Sequence, residues 1–128
     1  MKYHLSKTVT GTFEDVVSKV KDELKKEGFG VLTEIDIKNT LKNKLDIDFR
    51  KYSILGACNP EYAHKALQAE DKVGTMLPCN VIVQEKSNGK VEVAAVNPKA
   101  SMMAIENNRL KQLATDITQK LKKVVDGV

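Results

Sequence analysis

Cys58 and Cys79 are the side chains in this sequence best suited to chemistry. Cys58 stands directly before Asn59-Pro60-Glu61, which reads as a sharp helix start. Asn is a good N-cap, Pro fits the first helical position, and Glu complements the positive end of the helix dipole. A thiol at that position can have its thiolate favoured by the dipole and become a nucleophile. Cys79 follows Pro78 at the start of a predicted strand. The pair could act as a reactive thiol, a redox couple or the wall of a binding pocket. The competing reading is two small buried hydrophobes, because free cysteine is among the most buried residue types.

Glu34 and Asp36 are the second pair with chemical potential. Two residues apart in an alternating stretch, they project from one strand face, as paired acid–base carboxylates would. The competing reading is a solvated sheet face or ion pairs with lysine. No zinc set is expected: the chain lacks Cys-x-x-Cys, and His4 and His64 are its only histidines. No serine nucleophile with its base is readable. The seven glycines are dispersed, so no phosphate-cradling loop is present and no cofactor is expected.

Composition narrows the partners. The net charge is +4, yet among 21 basic residues only Arg50 and Arg109 are arginine. Lysines interleave with acids, as in Lys21-Asp22-Glu23-Leu24-Lys25-Lys26, which describes a solvated helix face. Strand aromatics for base stacking are scarce: Tyr3 and Tyr52 are the only ones well inside strands. Nucleic acid is therefore not an expected partner. No run approaches the roughly 18 apolar residues of a membrane span, so no membrane partner is expected either. The N-terminal residues lack the apolar core of a signal peptide. With two cysteines and no secretion signal, free thiols and a cytoplasmic setting are the expectation.

The elements that must position these residues follow from periodicity. Residues 1–128 read as one α+β domain. Tyr3 to Val9 alternates as a strand, with Tyr3, Leu5 and Val9 on one face. Thr12 and Asp15 form a variant capping box before Phe13, Val16, Val17, Val20 and Leu24 at helical spacing, and Gly28 stops that helix. Phe29 to Ile37 is a strand with Val31, Thr33, Ile35 and Ile37 on one face and Leu32, Glu34 and Asp36 on the other. Ile37, Leu41 and Leu45 mark a short helix, and Tyr52 to Cys58 a strand. The helix begun at Asn59 carries Ala63, Ala66 and Leu67 and ends around Asp71 to Gly74.

Pro78 to Glu85 and Lys90 to Val96 form a hairpin around Ser87-Asn88-Gly89. A two-residue Asn-Gly loop would place Glu85 opposite Glu92, a destabilising like-charge pair. A three-residue loop with Gly89 in a left-handed bulge places Glu85 opposite Val91 instead. It also gathers Cys79, Val81, Val83, Val91, Val93 and Ala95 on one face, so it is preferred. A loop follows Pro98, then a long helix carries Leu110, Leu113, Ala114, Ile117, Leu121, Val124 and Val125. The order is β-α-β-(short α)-β-α-β-β-α. It predicts an antiparallel or mixed sheet of about five strands with helices packed on one face.

The blocks Tyr52-Ser53-Ile54-Leu55-Gly56-Ala57-Cys58-Asn59-Pro60 and Met76-Leu77-Pro78-Cys79-Asn80-Val81-Ile82-Val83 carry a family resemblance. With Glu34-Ile35-Asp36-Ile37 and Asn97-Pro98, they resemble the uncharacterised bacterial and archaeal family called domain of unknown function 302, over almost the whole chain. The resemblance implies a compact α+β domain, a helix-covered sheet and a homodimer, and it implies no reaction. Both cysteine-containing blocks of the family are present, which raises the standing of Cys58 and Cys79 as a site.

The resulting functional expectation is a cytoplasmic, homodimeric module that binds a small molecule or peptide. Its ligand-binding candidates are Cys58, Asn59, Cys79, Glu34 and Asp36. A thiol-dependent enzyme or redox protein using Cys58 and Cys79 is the alternative, and a structural or interaction role is the third reading.

Overall fold

Charge avoidance sets the register of the last hairpin, and the rest of the sheet grows from it. In the computed structural model, which describes residues 1–128, β4 (Cys79–Glu85) and β5 (Val91–Val96) pair with Glu85 opposite Val91. The turn closes through Gly89 at φ 76°, with the Lys86 N–H donating to the Lys90 carbonyl at 2.7 Å. This bulged three-residue loop keeps Glu85 away from Glu92 and leaves Val81, Val83, Val91, Val93 and Ala95 buried on one side.

β1 (His4–Val9) adds to β5, β3 (Tyr52–Cys58) adds to β4, and β2 (Gly30–Asp36) adds to β3. The sheet is antiparallel throughout, in the order β1-β5-β4-β3-β2. Its inner face packs on α1 (Phe13–Lys26) and α5 (Asn108–Gly127). The connections carry α2 (Ile37–Leu45), α3 (Pro60–Ala69), a 3-10 turn over Asp71–Met76 and the single turn α4 (Pro98–Ser101). This is the helix-covered α+β sheet that the strand and helix periodicities predict.

Local chemistry explains where the helices start and stop. The Asp15 N–H donates to Thr12 Oγ1 at 3.1 Å, capping α1. Its far end closes with the Phe29 N–H on the Leu24 carbonyl and the Gly28 N–H on the Lys25 carbonyl, with Gly28 at φ 84°. Asn107 caps α5 through the Leu110 N–H at 3.0 Å. At the other end of α5, Lys7 Nζ donates to the Asp126 and Val128 carbonyls at 2.9 and 2.8 Å. A lysine on the inner side of β1 thus satisfies carbonyls that the helix leaves open.

The interior divides in two. The larger core joins Val16, Val20 and Leu24 of α1, the inner strand residues, and Ile117, Leu121, Val124 and Val125 of α5. A smaller core joins Ala66 of α3, Val73 of the 3-10 turn, Met102, and Leu110 and Ala114 at the start of α5. Leu24, Leu55, Leu110 and Leu121 are fully buried, each worth about 1.5–3 kcal/mol of transfer free energy.

Several expectations need correction. The first strand begins at His4, and Tyr3 lies outside it, exposed. The helix after Asn59 ends at Ala69, and Asp71–Met76 winds into a separate 3-10 turn. The stretch after Pro98 holds a helical turn capped by Asn97. The largest difference is in β2. Val31 pairs with Ala57 but Thr33 pairs with Gly56, so Leu32 is a bulge residue that breaks the alternation. Val31 therefore joins the inner face, while Thr33 and Ile35 lie on the outer face beside Gly56 and Ile54. Glu34 and Asp36 do share a face, as expected.

Candidate functional site

The site is built where β3 ends and β4 begins. Ala57 is the cross-strand partner of Cys79, so Cys58 and Cys79 sit at the same end of the sheet. Both are free thiols, Cys58 half-buried and Cys79 buried. The chain can be this tight here because residue 56 is glycine: a Cβ would collide with Thr33 Oγ1 and lie 2.9 Å from Pro78 Cγ. The Leu77–Pro78 peptide that leads into Cys79 is cis.

Asn59 then turns the chain into α3. Its Oδ1 accepts the Tyr62 N–H at 3.4 Å, and its Nδ2 donates to the Glu27 carbonyl at 3.3 Å. The same amide caps α3 and ties it to the C-terminal end of α1. Gly28 leaves room for that amide, which a Cβ would approach to 3.1 Å. The Gly56-Ala57-Cys58-Asn59-Pro60 run thus combines close approach, core, thiol, cap and first helical residue, in that order.

Beside the thiols lies a cavity of about 260 Å³. It opens at the junction of the two cores, which do not close on each other. Phe29, Ala57, Cys79 and Ile117 come from the larger core, and Ala66, Met102, Leu110 and Ala114 from the smaller one. Leu32, Cys58, Asn59, Ala63, Leu77, Pro78 and Leu113 complete the wall. None of these side chains is charged, and the polar groups at the wall are the two thiols and the Asn59 amide. A hollow of about 670 Å³ beside β1 and Lys19 is larger, but it is more open and lined with lysines and threonines.

Burial pushes the Cys79 thiol up to about 11, and the neighbouring Cys58 adds to the rise. Cys79 is therefore a neutral thiol at physiological pH, a weak nucleophile and a suitable apolar wall.

Glu34 and Asp36 lie elsewhere. Cys58 pairs with Gly30, whereas Glu34 pairs with Leu55 and Asp36 with Ser53, toward the opposite end of the strands. Glu34 forms an exposed ion pair with Lys21 at 2.8 Å. Asp36 caps α2, its Oδ1 accepting the Asn39 N–H at 3.0 Å. The structure thus brings Cys58, Asn59 and Cys79 together and keeps both carboxylates apart from them. Sequence reading missed the far wall: Ala63 and Ala66 of α3, and Leu110, Leu113, Ala114 and Ile117 of α5. Helical periodicity marks all six as apolar stripe residues, and nothing in it signals that two cores leave a gap.

Fold and site together define a small helix-covered antiparallel sheet with an uncharged cavity beside two free thiols. The chain belongs to the family of domain of unknown function DUF302, whose model matches residues 5–128. It is also similar to the crystal structure of an uncharacterised conserved DUF302 protein from Bacillus stearothermophilus. The identity is 29%, the TM-score is 0.92, and 98% of each chain is covered. No curated protein matches the chain. Neither relative carries an assigned activity. No helix is long and apolar enough to cross a membrane.

Proposed function

We propose that this protein is a cytoplasmic small-molecule-binding module whose ligand is neutral and largely apolar. The observation that carries the reading is the 260 Å³ cavity at Cys58, Asn59 and Cys79, whose wall holds no charged side chain. An engineered apolar cavity of about 150 Å³ accommodates benzene, so this one suits a two-ring or medium-chain molecule. Ligand sites are characteristically apolar with a few placed polar groups; here the Cys58 thiol is one, and the Asn59 amide, which the fold uses to cap α3 and hold the Glu27 carbonyl, borders the cavity beside it. An anion drawn to the α3 N-terminus fits less well, because the Asn59 side chain already occupies the cap. The neutral state of Cys79 favours binding over thiol catalysis. Two unbonded cysteines support a reducing compartment.

Naphthalene titration followed by amide NMR tests the proposal. Saturable shifts should concentrate at Ala63, Ala66, Cys79, Leu110 and Ala114. Ala114→Phe, which fills the cavity from α5, should weaken binding by about 30-fold or more while leaving the helix content intact. Shifts that never saturate, or equal binding by Ala114→Phe, would defeat it.

A further inference from the structure

Cys58 and Cys79 share the cavity wall under different conditions. Cys79 is 6% exposed, lines the cavity, and its thiol donates to no group of its own chain. Buried polar groups normally have a partner, and an acceptor on a ligand would supply one here. Cys58 is half-buried, and the same wall holds Leu32, 69% exposed, so the cavity meets solvent on the β2–β3 side. A thiolate formed there keeps its hydration, and the thiolate is the form that attacks.

The wall holds no amine, imidazole, hydroxyl or carboxylate, which leaves Cys58 as the group able to form a bond to a ligand. The wall also limits the kind of bond. A charged electrophile, or one that expels an anionic leaving group, would set that charge against hydrocarbon. Conjugate addition to a neutral carbonyl compound avoids both, because it has no leaving group and a neutral product.

We propose that Cys58 captures neutral, apolar α,β-unsaturated carbonyl compounds as covalent thioethers in this cavity. The proposal rests on the reading of the cavity as a ligand site. Cys58 gives its proton to water, and its Sγ forms a bond to the ligand's β-carbon. The electron pair of the C=C bond moves through the α-carbon onto the carbonyl oxygen. The Cys79 S–H donates a hydrogen bond to that oxygen as charge builds there and keeps its own proton, since its surroundings favour the neutral thiol. The α-carbon then takes a proton from water at the open side. The sum is addition of S–H across C=C, with nothing oxidised or reduced. Backbone placement suits a ligand that meets both thiols. Cys79 pairs across the sheet with Ala57, the residue before Cys58, and such partners lie about 5 Å apart. An enone carries its electrophilic carbon and its oxygen on one short conjugated unit.

3-Octen-2-one is the probe, with adducts located by peptide mass spectrometry and rates followed by loss of enone absorbance. One molecule should add per chain, at Cys58, at a rate that saturates with enone concentration. It should exceed the rate of glutathione at the same thiol concentration and pH by about tenfold or more. Ala114→Phe, with the cavity filled, should lose about tenfold of that rate, while iodoacetamide still alkylates its Cys58. Cys79→Ala should slow capture about threefold or more, the loss of one weak hydrogen bond. Adducts on lysines in place of Cys58, or a rate no faster than that of glutathione, would overturn the proposal. Equal rates in the wild type and Cys79→Ala would overturn the role of Cys79 as donor. Saturable naphthalene binding with no thioether formed would overturn covalent capture and leave the cavity reading standing. Thioether formation that never saturates, with no naphthalene binding, is ordinary thiol reactivity and would defeat both.

Discussion

The two reactive-looking pairs of this sequence lie toward opposite ends of the β2-β3-β4 part of the sheet, Glu34 and Asp36 on β2 and Cys58 and Cys79 on β3 and β4, and their fates differ. At one end Glu34 and Asp36 find partners within their own neighbourhood. Lys21 of the adjacent helix meets Glu34, and the Asn39 N–H and Thr40 hydroxyl meet the side chain and carbonyl of Asp36. At the other end Cys58 and Cys79 face apolar walls and open volume. The carboxylates' hydrogen-bonding capacity is used by the fold, whereas the thiol end keeps space that the fold does not fill. Residue type alone announces potential at both ends; the supply of local partners decides which end retains it.

The sharpest break between the two ends should be seen at alkaline pH. Cys79 has its ordinary value near 9.0 raised to about 11 by burial. The folded state therefore binds the thiol proton more tightly than the unfolded chain does. That stabilisation is complete below about pH 9 and is lost as pH rises through 11. It amounts to about 2–3 kcal/mol for a shift of this size. Urea denaturation from pH 8 to 11 should show the loss in the wild type and in Asp36→Asn. In Cys79→Ala that part of the alkaline loss should vanish. An unchanged alkaline slope in Cys79→Ala would mean that the thiol is not held neutral by its surroundings.

The caps give the next contrast. Asn59→Ala removes a helix cap and the bond to the Glu27 carbonyl that ties α3 to α1. It should cost about 2 kcal/mol and weaken naphthalene binding several-fold, because α3 forms one wall of the cavity. Asp36→Ala removes a cap from α2, which has no buried residue. It should cost about 1 kcal/mol and leave naphthalene binding unchanged. Equal effects of the two on binding would erase the distinction between the ends.

Most of the frame was legible in the sequence for reasons that are local. Thr12, Gly28 and Asn59 mark helix ends with their own hydrogen-bonding groups, and the Glu85–Glu92 conflict chooses the hairpin loop. What stayed hidden depends on tertiary placement. The Leu32 bulge breaks an alternation that reads as unbroken, because the residues around it suit either face of a strand. The cavity needs Ala63 and Ala66 to meet Leu110 and Ala114, more than forty residues on. Small side chains at those positions look like ordinary close packing until the helices are in place. Cys58, Asn59 and Cys79 could be singled out because capping chemistry and strand ends are local, whereas their apolar surroundings are not.

The smallest effect tests the comparison from its quiet side. Glu34→Gln removes the charge of an ion pair whose two side chains are 43% and 41% exposed. Such a pair contributes at most about 0.5 kcal/mol, and salt screens it. Glu34 pairs with Leu55, three residues along β3 from Cys58, a separation of about 10 Å. That exceeds the Debye length of about 8 Å at physiological salt, and the cavity wall holds no charge for Glu34 to act upon. The substitution should therefore leave naphthalene affinity within about twofold and change stability by less than about 0.5 kcal/mol. A tenfold loss of affinity would show that the carboxylate end and the thiol end act as one site after all.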